Sequence, residues 1–281
     1  THGLVSNAKL FADNTKVYTK VSNDEEHLTL QGDLRSLEKW SKDWLLPFNV
    51  AKCSILHIGK HNPEHSYTML GQELTSHAAE KDLGVLIDKE LKFRRQAAAA
   101  ANKANQILGV IKRAFAHLDL YTLPLLYKAL VRPHLEYGNE IWGPFNKADQ
   151  LLIERVQRRA TRLLPELRDQ EYEDRLRRLR LPSLHFRRKR GDMILMFKIM
   201  NGLMGIPREL LFKSPSIGHT RGHCYKVNHP RACSRIRRNH LGYRAVTDWN
   251  NLPSWVVEAT SINSFKNNID KHWAHLMYQS P

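Results

Sequence analysis

The hydrophobic pattern of this chain changes its period once, near residue 92, and that change limits the folds open to it. Before that point, short apolar runs separated by turn residues predict β-strands, the clearest of them at 53–58 and 83–88. Only residues 24–46 in this part place apolar side chains three and four residues apart, which predicts one amphipathic helix. Beyond it, almost every segment has helical spacing. We therefore expect an α+β fold, with strands and one helix in residues 1–92 and helices throughout 93–281.

The charge of the chain divides at nearly the same place. Residues 1–90 carry 10 basic and 13 acidic side chains, a net charge of −3, whereas residues 91–281 carry 34 and 15, a net charge of +19. A basic excess of this size favours polyanions, because neutralising phosphates releases condensed counterions. RNA and/or DNA is therefore the expected partner of the second part. The alternative is a basic surface that only meets solvent.

Composition also bounds the compartment in which the chain is expected to work. Its three cysteines, Cys53, Cys224 and Cys233, are too few and odd in number for a disulfide framework, which indicates a reducing environment. No apolar run approaches the roughly 20 residues that span a bilayer, and no signal peptide is visible. We expect an intracellular protein of the nucleus and/or cytoplasm, with no membrane contact and no small-molecule cofactor. The oligomeric state is left open.

Two groups of cations in the basic part are candidates for phosphate contact. One group recurs at three- and four-residue spacing and so shares one face of a predicted helix, opposite Leu152, Val156 and Leu163. It consists of Arg155, Arg158, Arg159 and Arg162. The other group is the cluster Arg187, Arg188, Lys189 and Arg190, at the start of the next long helix. Both predict a track for a nucleic-acid duplex that positions without reading sequence, and a solvated face is the alternative.

The stretch 219–244 contains seven basic residues and no acid. Arg235, Arg237 and Arg238 are its candidate nucleic-acid contacts. The same stretch holds a run of histidines and cysteines that permits a zinc knuckle, since zinc takes Cys and His in tetrahedral geometry. The possible ligands are His219, His223, Cys224, His229 and Cys233. A basic loop that happens to contain histidines is the simpler interpretation.

Short motifs along the chain resemble, in order, the blocks of LINE-type (non-LTR retrotransposon, jockey-like) reverse transcriptases. Phe11-Ala12-Asp13-Asn14 resembles the FADD signature, 48–53 the FNxxKC block and 80–85 the EKDLGV block. Further matching blocks follow in family order at 127–142, 156–160, 188–191, 220–223, 248–253 and 264–266. The resemblance covers nearly the whole chain. It suggests the C-terminal part of such an enzyme, from the FADD hairpin onward, and the start at Thr1 without a methionine fits a truncated product.

The resemblance implies a fold and a chemistry. Residues 1–92 would be the C-terminal part of a right-hand polymerase palm, with antiparallel strands and one helix, and 93–281 an all-α thumb-like and C-terminal region. The family implies two Mg²⁺ ions held by three palm aspartates, which clamp the attacking and leaving oxygens. Asp13 matches the first hairpin aspartate, Asn14 stands where the second is expected, and the third lies upstream of the chain. Lys52 matches a lysine implied to protonate the departing pyrophosphate, with a plain surface lysine as the alternative.

Because Mg²⁺ prefers several anionic oxygens in near-octahedral geometry, we expect Asp13 to be a residual, unproductive magnesium site. Three functions remain open. The chain is an inactive remnant of an RNA-directed DNA polymerase that still binds nucleic acid, or the C-terminal part of an active enzyme, or a basic protein-interaction module. Asn14 disfavours the second, because an active parent is expected to keep aspartate there.

Overall fold

The computed structural model describes residues 3–212, 222–228, 231 and 234–281, with only the backbone of Arg235. The chain folds into two compact units, residues 1–91 and 92–281. The division lies one residue before the boundary expected from the sequence. Each unit has its own cluster of buried apolar side chains, so the two are described separately below.

The first unit combines paired short strands with one long helix. Its strands are β1 (Asn7–Phe11), β2 (Asn14–Tyr18), β3 (Ser54–Ile55), β4 (Thr68–Met69), β5 (Gln72–Glu73), β6 (Thr75–Ser76), β7 (Ala79–Asp82) and β8 (Val85–Asp88). Helix α1 covers Asp24–Asp43, and Val50–Lys52 form a 3-10 turn. The strands pair as β1–β2, β3–β6, β4–β5 and β7–β8, and only β3–β6 is parallel.

Helix α1 supplies one wall of a small core. Its cap is Asn23, whose side chain accepts a hydrogen bond from the backbone N–H of Glu26. The apolar face of α1 packs, as its spacing predicts, on the side chains of Tyr67, Met69 and Leu74; it presents Leu30, Leu34 and Leu37. Trp44 follows the end of the helix and is 68% exposed, so it lies outside this core.

The 80–85 block forms a hairpin rather than the single strand expected over 83–88. Asp82 pairs with Val85, so Leu83 and Gly84 alone make the turn between β7 and β8. Both have positive φ, at 44° and 86°. A two-residue hairpin turn with positive φ at both positions matches the twist of the flanking strands. Leu83 therefore adopts a backbone conformation that a branched side chain rarely takes. Because leucine is apolar, the sequence pattern predicts a strand at this position and not a turn.

The described part of the second unit is helical. Its helices are α2 (Arg94–Ala114), α3 (Thr122–Leu126), α4 (Arg132–Glu136), α5 (Asn139–Trp142), α6 (Lys147–Thr161), α7 (Tyr172–Leu179), α8 (Leu184–Met200), α9 (Arg235–Asn239), α10 (Leu241–Arg244), α11 (Val246–Asn250), α12 (Ser254–Val257) and α13 (Ile262–His272). One cluster of its core lies around α8, α11 and α13, where Phe197 stacks on Phe265 with ring centroids 4.4 Å apart. Trp142, Trp249 and Trp273 are buried, whereas Trp255 is 51% exposed.

A π-helical turn joins α3 to α4 and explains how the 127–142 block tolerates a proline. Residues Tyr127–Val131 form this turn, and Pro133 follows near the start of α4. A proline inside an α-helix lacks one backbone N–H and clashes with the carbonyl four residues earlier. The wider π turn lies just before Pro133, so the missing N–H and the bulk of the proline ring fall where the α-helical hydrogen-bond pattern is already interrupted. The helical path from 122 to 136 thus continues, and Tyr127 points its hydroxyl into the unit, fully buried.

Candidate nucleic-acid interface

The hairpin carrying the FADD-like motif has the expected geometry. Phe11 pairs with Asn14, so Ala12 and Asp13 form a two-residue turn, and Ala12 has a φ of 51°. The Asp13 side chain is exposed, and one of its carboxylate oxygens lies 3.4 Å from the Asn14 amide nitrogen. Lys52, the family-matched lysine, ends the 3-10 turn and is also exposed.

These donors do not fit a pair of magnesium ions. The tip of the hairpin offers one carboxylate and one neutral amide, whereas Mg²⁺ is usually held by one or two carboxylates together with substrate phosphates, and a second ion needs more. Within the described ranges, no group of three or more His, Cys, Asp or Glu side chains is arranged to hold a metal. We therefore derive no catalytic step through a metal at Asp13.

Helix α6 carries the first predicted arginine group, and here the geometry agrees with the pattern. Val156 is buried and Arg155, Arg159 and Arg162 are exposed, while Arg158 is half-buried. At 1.5 Å per residue, the row extends roughly 10 Å along the helix axis. The group Arg155, Arg158, Arg159 and Arg162 is called the arginine face below. Since both acidic residues of α6 are buried, the exposed side of the helix carries no negative charge.

The four side chains of the arginine face differ in what holds them. Arg159 donates from Nη1 to the Asn105 side chain of α2 at 2.9 Å. Arg158 leans the other way, lies over the Tyr172 ring at 4.6 Å and donates to Ser280 Oγ at 2.7 Å. The side chains of Arg155 and Arg162 have no hydrogen bond or ion pair with any described residue. Two guanidinium groups of this face are thus free, and two are anchored at its edges.

Helix α2 lies beside α6 and runs parallel to it. Arg94 approaches Asp149 (Nε to Oδ1, 3.9 Å) near the start of both helices, and Asn105 meets Arg159 further along both. The five consecutive alanines at 97–101 of α2 permit this close packing, because the buried ones among them, Ala97, Ala100 and Ala101, have small side chains. The last turn of α2 exposes Lys112 and Arg113. The parallel order places this turn toward the Arg162 end of α6.

The second predicted group, on α8, is engaged within the protein. Arg187 makes a bidentate pair with Glu136, with Nη2 to Oε2 at 2.8 Å. Arg190 makes a second bidentate pair with Asp270, at 2.5 and 2.8 Å. Lys189 lies 3.0 Å from Asp248 and over the ring of Trp273 at 5.6 Å. Four adjacent cations repel one another, and here the compensating acids come from other helices of the same unit.

Arg188, the remaining member of that group, is turned inward. Its Nη atoms are buried and have no hydrogen-bond partner among the described atoms. Burial lowers the pKa of Arg188, and the negative charges of Glu154, Asp192 and Glu136 act against that shift. All four cations of this group on α8 are therefore paired with acids or buried within the second unit, unlike Arg155 and Arg162 on α6.

Glu154 is the most informative residue that sequence reasoning missed. It is fully buried on α6, accepts a hydrogen bond from Tyr172 Oη at 2.6 Å, and accepts the backbone N–H groups of Leu184 and His185 at 3.2 Å each. These amides belong to the first turn of α8, where Ser183 caps a third N–H. A carboxylate suits the positive end of a helix dipole. Burial, followed by the Glu154 charge, raises the pKa of Tyr172, so the phenol remains the donor.

An ion pair between α10 and α8 was also not foreseen. Arg244 of α10 donates hydrogen bonds from Nε and Nη2 to the Asp192 carboxylate of α8 at 2.8 and 2.7 Å. Both side chains are less than one-fifth exposed. The same guanidinium donates to the backbone carbonyls of Asn139 and Glu140 on α5. The one sequence feature connected with this arrangement is the glycine at position 143. A Cβ added there would lie 2.8 Å from the Asn139 carbonyl oxygen and 3.4 Å from the Arg244 guanidinium carbon, so the close approach of Arg244 requires a residue without a side chain.

The remaining predicted contacts lie in the region after residue 212. Arg237 and Arg238 are exposed on α9, whose cap is Ser234, and the Arg235 side chain lies outside the described residues. Of the possible zinc ligands, His219, His229 and Cys233 also lie outside them. Cys224 is exposed. The zinc site therefore stays a prediction, with one of its five ligands accounted for below.

His223, the last residue of the 220–223 block, has a structural role. It is 3% exposed, its Nε2 donates to the backbone carbonyl of Trp249 at 3.0 Å, and its ring meets the Trp249 ring edge-on at 5.9 Å. Burial lowers the pKa of His223, which favours the neutral ring. The Trp249 indole in turn donates to the Tyr225 carbonyl at 2.9 Å. His223 thus anchors the segment 222–228 to α11.

The second unit is basic and helical with an open arginine face, the first is a small α+β unit, and comparison with known proteins identifies similar proteins. Over 142 residues the chain is 28% identical to the RNA-directed DNA polymerase from the mobile element jockey of Drosophila funebris. Over 140 residues it is 26% identical to that of Drosophila melanogaster. Each alignment covers 47% of this chain and 15% of the relative. No family model matches the chain, and no solved structure matches it.

The chain is related, at the level of family, to the LINE-type reverse transcriptases. The aligned 47% of the chain is similar to a region of these two RNA-directed DNA polymerases, and it spans about 15% of their length. Among the described residues, no helix is both long and apolar enough to cross a membrane.

Proposed function

We propose that this chain binds the sugar–phosphate backbone of RNA or DNA through the arginine face of α6, and that it does not polymerise DNA by itself. The observation that carries the first part is the contrast between two arginine groups. On α8, Arg187 and Arg190 are committed to acids of the same unit. On α6, Arg155 and Arg162 point outward, unpaired within the described structure, on a helix side with no exposed acid.

Physical reasons favour phosphate as the occupant. The second unit carries a net charge of +19, and its unpaired guanidinium groups are planar forks that match phosphate oxygens. Three of the four tryptophans of the second unit, Trp142, Trp249 and Trp273, are buried and not available to stack on bases, whereas Trp255 is half exposed. The expected interaction is therefore electrostatic and independent of sequence. The assignment of residues 1–92 to a palm and of 93–281 to a thumb-like region remains part of this proposal.

Binding of the full chain to a short fluorescein-labelled DNA duplex, measured across a salt series, tests the first part. Arg155→Ala and Arg162→Ala are each expected to weaken binding and to reduce the slope of log K against log salt by about 0.9. Arg35→Ala is the matched control, because Arg35 is an exposed arginine of α1 in the first unit. If the slope is flat for the wild type, or falls equally in all three variants, the arginine face is not the binding site.

The second part rests on the hairpin tip. Asp13 is its one carboxylate, and Asn14 adds no charge. Primer extension with a template–primer duplex, in Mg²⁺ and then in Mn²⁺, is expected to show no incorporation with the wild-type chain. Asn14→Asp restores the carboxylate of the family motif and is expected to remain inactive, because a single additional carboxylate does not complete a two-metal site. Template-dependent extension by either protein would contradict the proposal.

A further inference from the structure

The last residues of the chain lie against the edge of the arginine face. After α13, a 3-10 turn at Ala274–Leu276 leads into residues 277–281, called the C-terminal strap below. The backbone carbonyl of Met277 accepts the N–H of Ser183, the buried cap of α8, at 2.9 Å. The Met277 side chain packs on the core of the second unit. This anchor directs the rest of the strap across the junction of α6, α7 and α8.

Beyond the anchor, the strap contacts two arginines. Ser280 Oγ accepts a hydrogen bond from Arg158 Nη2 at 2.7 Å. The Tyr278 ring lies 5.9 Å from the guanidinium carbon of Arg177 on α7. Arg177 already pairs with Glu173 and Asp174, so that contact adds little to its charge balance. Arg158 has no acidic partner among the described residues, so the strap hydroxyl is its main polar contact.

Arg158 is therefore the one cation of the arginine face that the chain itself withdraws from solvent. Its guanidinium lies over the Tyr172 ring, its Nε is buried without a partner, and its Nη2 points to the strap. On α6 it lies three residues from Arg155 and four from Arg162, within the same row. If Ser280 moves away, the guanidinium can swing outward and join Arg155 and Arg162.

We propose that the C-terminal strap is an autoinhibitory contact, in which Ser280 holds Arg158 away from the phosphates that the rest of the arginine face binds. This inference rests on the proposed binding function and adds its regulation. A neutral hydroxyl makes a hydrogen bond of modest net strength, so the strap competes with phosphate and does not block it permanently. A negative charge at position 280 would hold Arg158 more firmly, because a carboxylate adds coulombic attraction and can accept two parallel hydrogen bonds from the guanidinium.

Two variants of the full chain test this proposal because they are expected to move binding in opposite directions. Ser280→Ala releases Arg158, adds one phosphate contact, steepens the salt slope by about 0.9 and raises affinity roughly fivefold at about 0.15 M salt. Ser280→Asp pairs with Arg158 and is expected to lower affinity below that of the wild type. Gln279→Ala is the matched control, since Gln279 is exposed in the strap and, among the described residues, its side chain bonds only to the His275 carbonyl. It is expected to bind as the wild type does.

A third variant assigns the gain to one residue. Arg158→Ala in the Ser280→Ala background is expected to abolish both the added affinity and the added slope. If the strap merely supports the fold, Ser280→Ala and Ser280→Asp will change binding in the same direction, together with the unfolding midpoint, and the proposal is wrong. Salt-dependent binding by the wild type with no response to Ser280→Ala overturns the strap alone. No binding by any of these proteins overturns the proposed function as well.

Discussion

Replacing Glu154 by glutamine tests the explanation given for the junction of α6, α7 and α8. The buried carboxylate accepts three hydrogen bonds, one from a phenol and two from the first turn of α8. Glutamine keeps the shape but removes the charge, and its amide NH₂ then faces a backbone N–H that has no other acceptor. The charge at the helix end is worth up to ~2 kcal/mol in such a setting, and each charge-assisted hydrogen bond loses about 1 kcal/mol on becoming neutral. We expect a loss of about 3–5 kcal/mol in the free energy of unfolding, the range for breaking a buried ionic contact.

Urea denaturation of the full chain, followed by far-ultraviolet circular dichroism, measures this loss. Glu166→Gln is the matched control, because Glu166 is exposed on the 3-10 turn after α6 and makes no side-chain contact with a described residue. It is expected to change the free energy of unfolding by no more than about 0.5 kcal/mol. Native-state hydrogen exchange should show the earliest loss of protection in the first turn of α8. A cost below about 1 kcal/mol for Glu154→Gln, or equal costs for both variants, would refute the capping role.

Three further predictions concern neighbouring parts of the second unit. Gly143→Ala is expected to cost about 1–3 kcal/mol in thermal unfolding, because its new Cβ would lie 2.8 Å from the Asn139 carbonyl; an unchanged midpoint contradicts this. Burial, then nearby positive charge, lowers the pKa of His185 from 6.5 to about 4, so the unfolded state binds the proton first and stability falls as pH drops through that window. His185→Gln should flatten this part of the pH dependence of the free energy of unfolding. Arg187→Gln should lower stability by about 1–3 kcal/mol by unpairing Glu136, yet leave the salt slope of DNA binding unchanged; a reduced slope would assign it to the interface.

The local structure of this protein follows closely from its sequence. The hairpin at Asp13 and the buried face of α1 are set by turn residues and by spacing, which act over a few neighbouring positions. The exposed side of α6 follows in the same way, because three- and four-residue spacing fixes which side chains share a face. Where local signals fail, the cause is equally local: Leu83 has an apolar side chain on a turn backbone.

The roles of the charged side chains depend on partners that are distant in sequence. Arg187 and Arg155 look alike in the sequence, as members of basic clusters on predicted helices. Glu136 lies 51 residues from Arg187 and neutralises it, whereas no acid approaches Arg155 in the described structure. A sequence pattern gives the direction of a side chain from its own helix, but not what another helix places opposite it.

The sequence by itself determined the change from strands to helices near residue 92, the large positive charge of the second part and the family to which its motifs point. Tertiary structure decided which of those charges remain available. Helix packing brings Asp270 to Arg190 and Ser280 to Arg158, across 80 and 122 residues of chain. The reason is that electrostatic interactions act over a few ångströms between side chains, and the fold alone sets those distances.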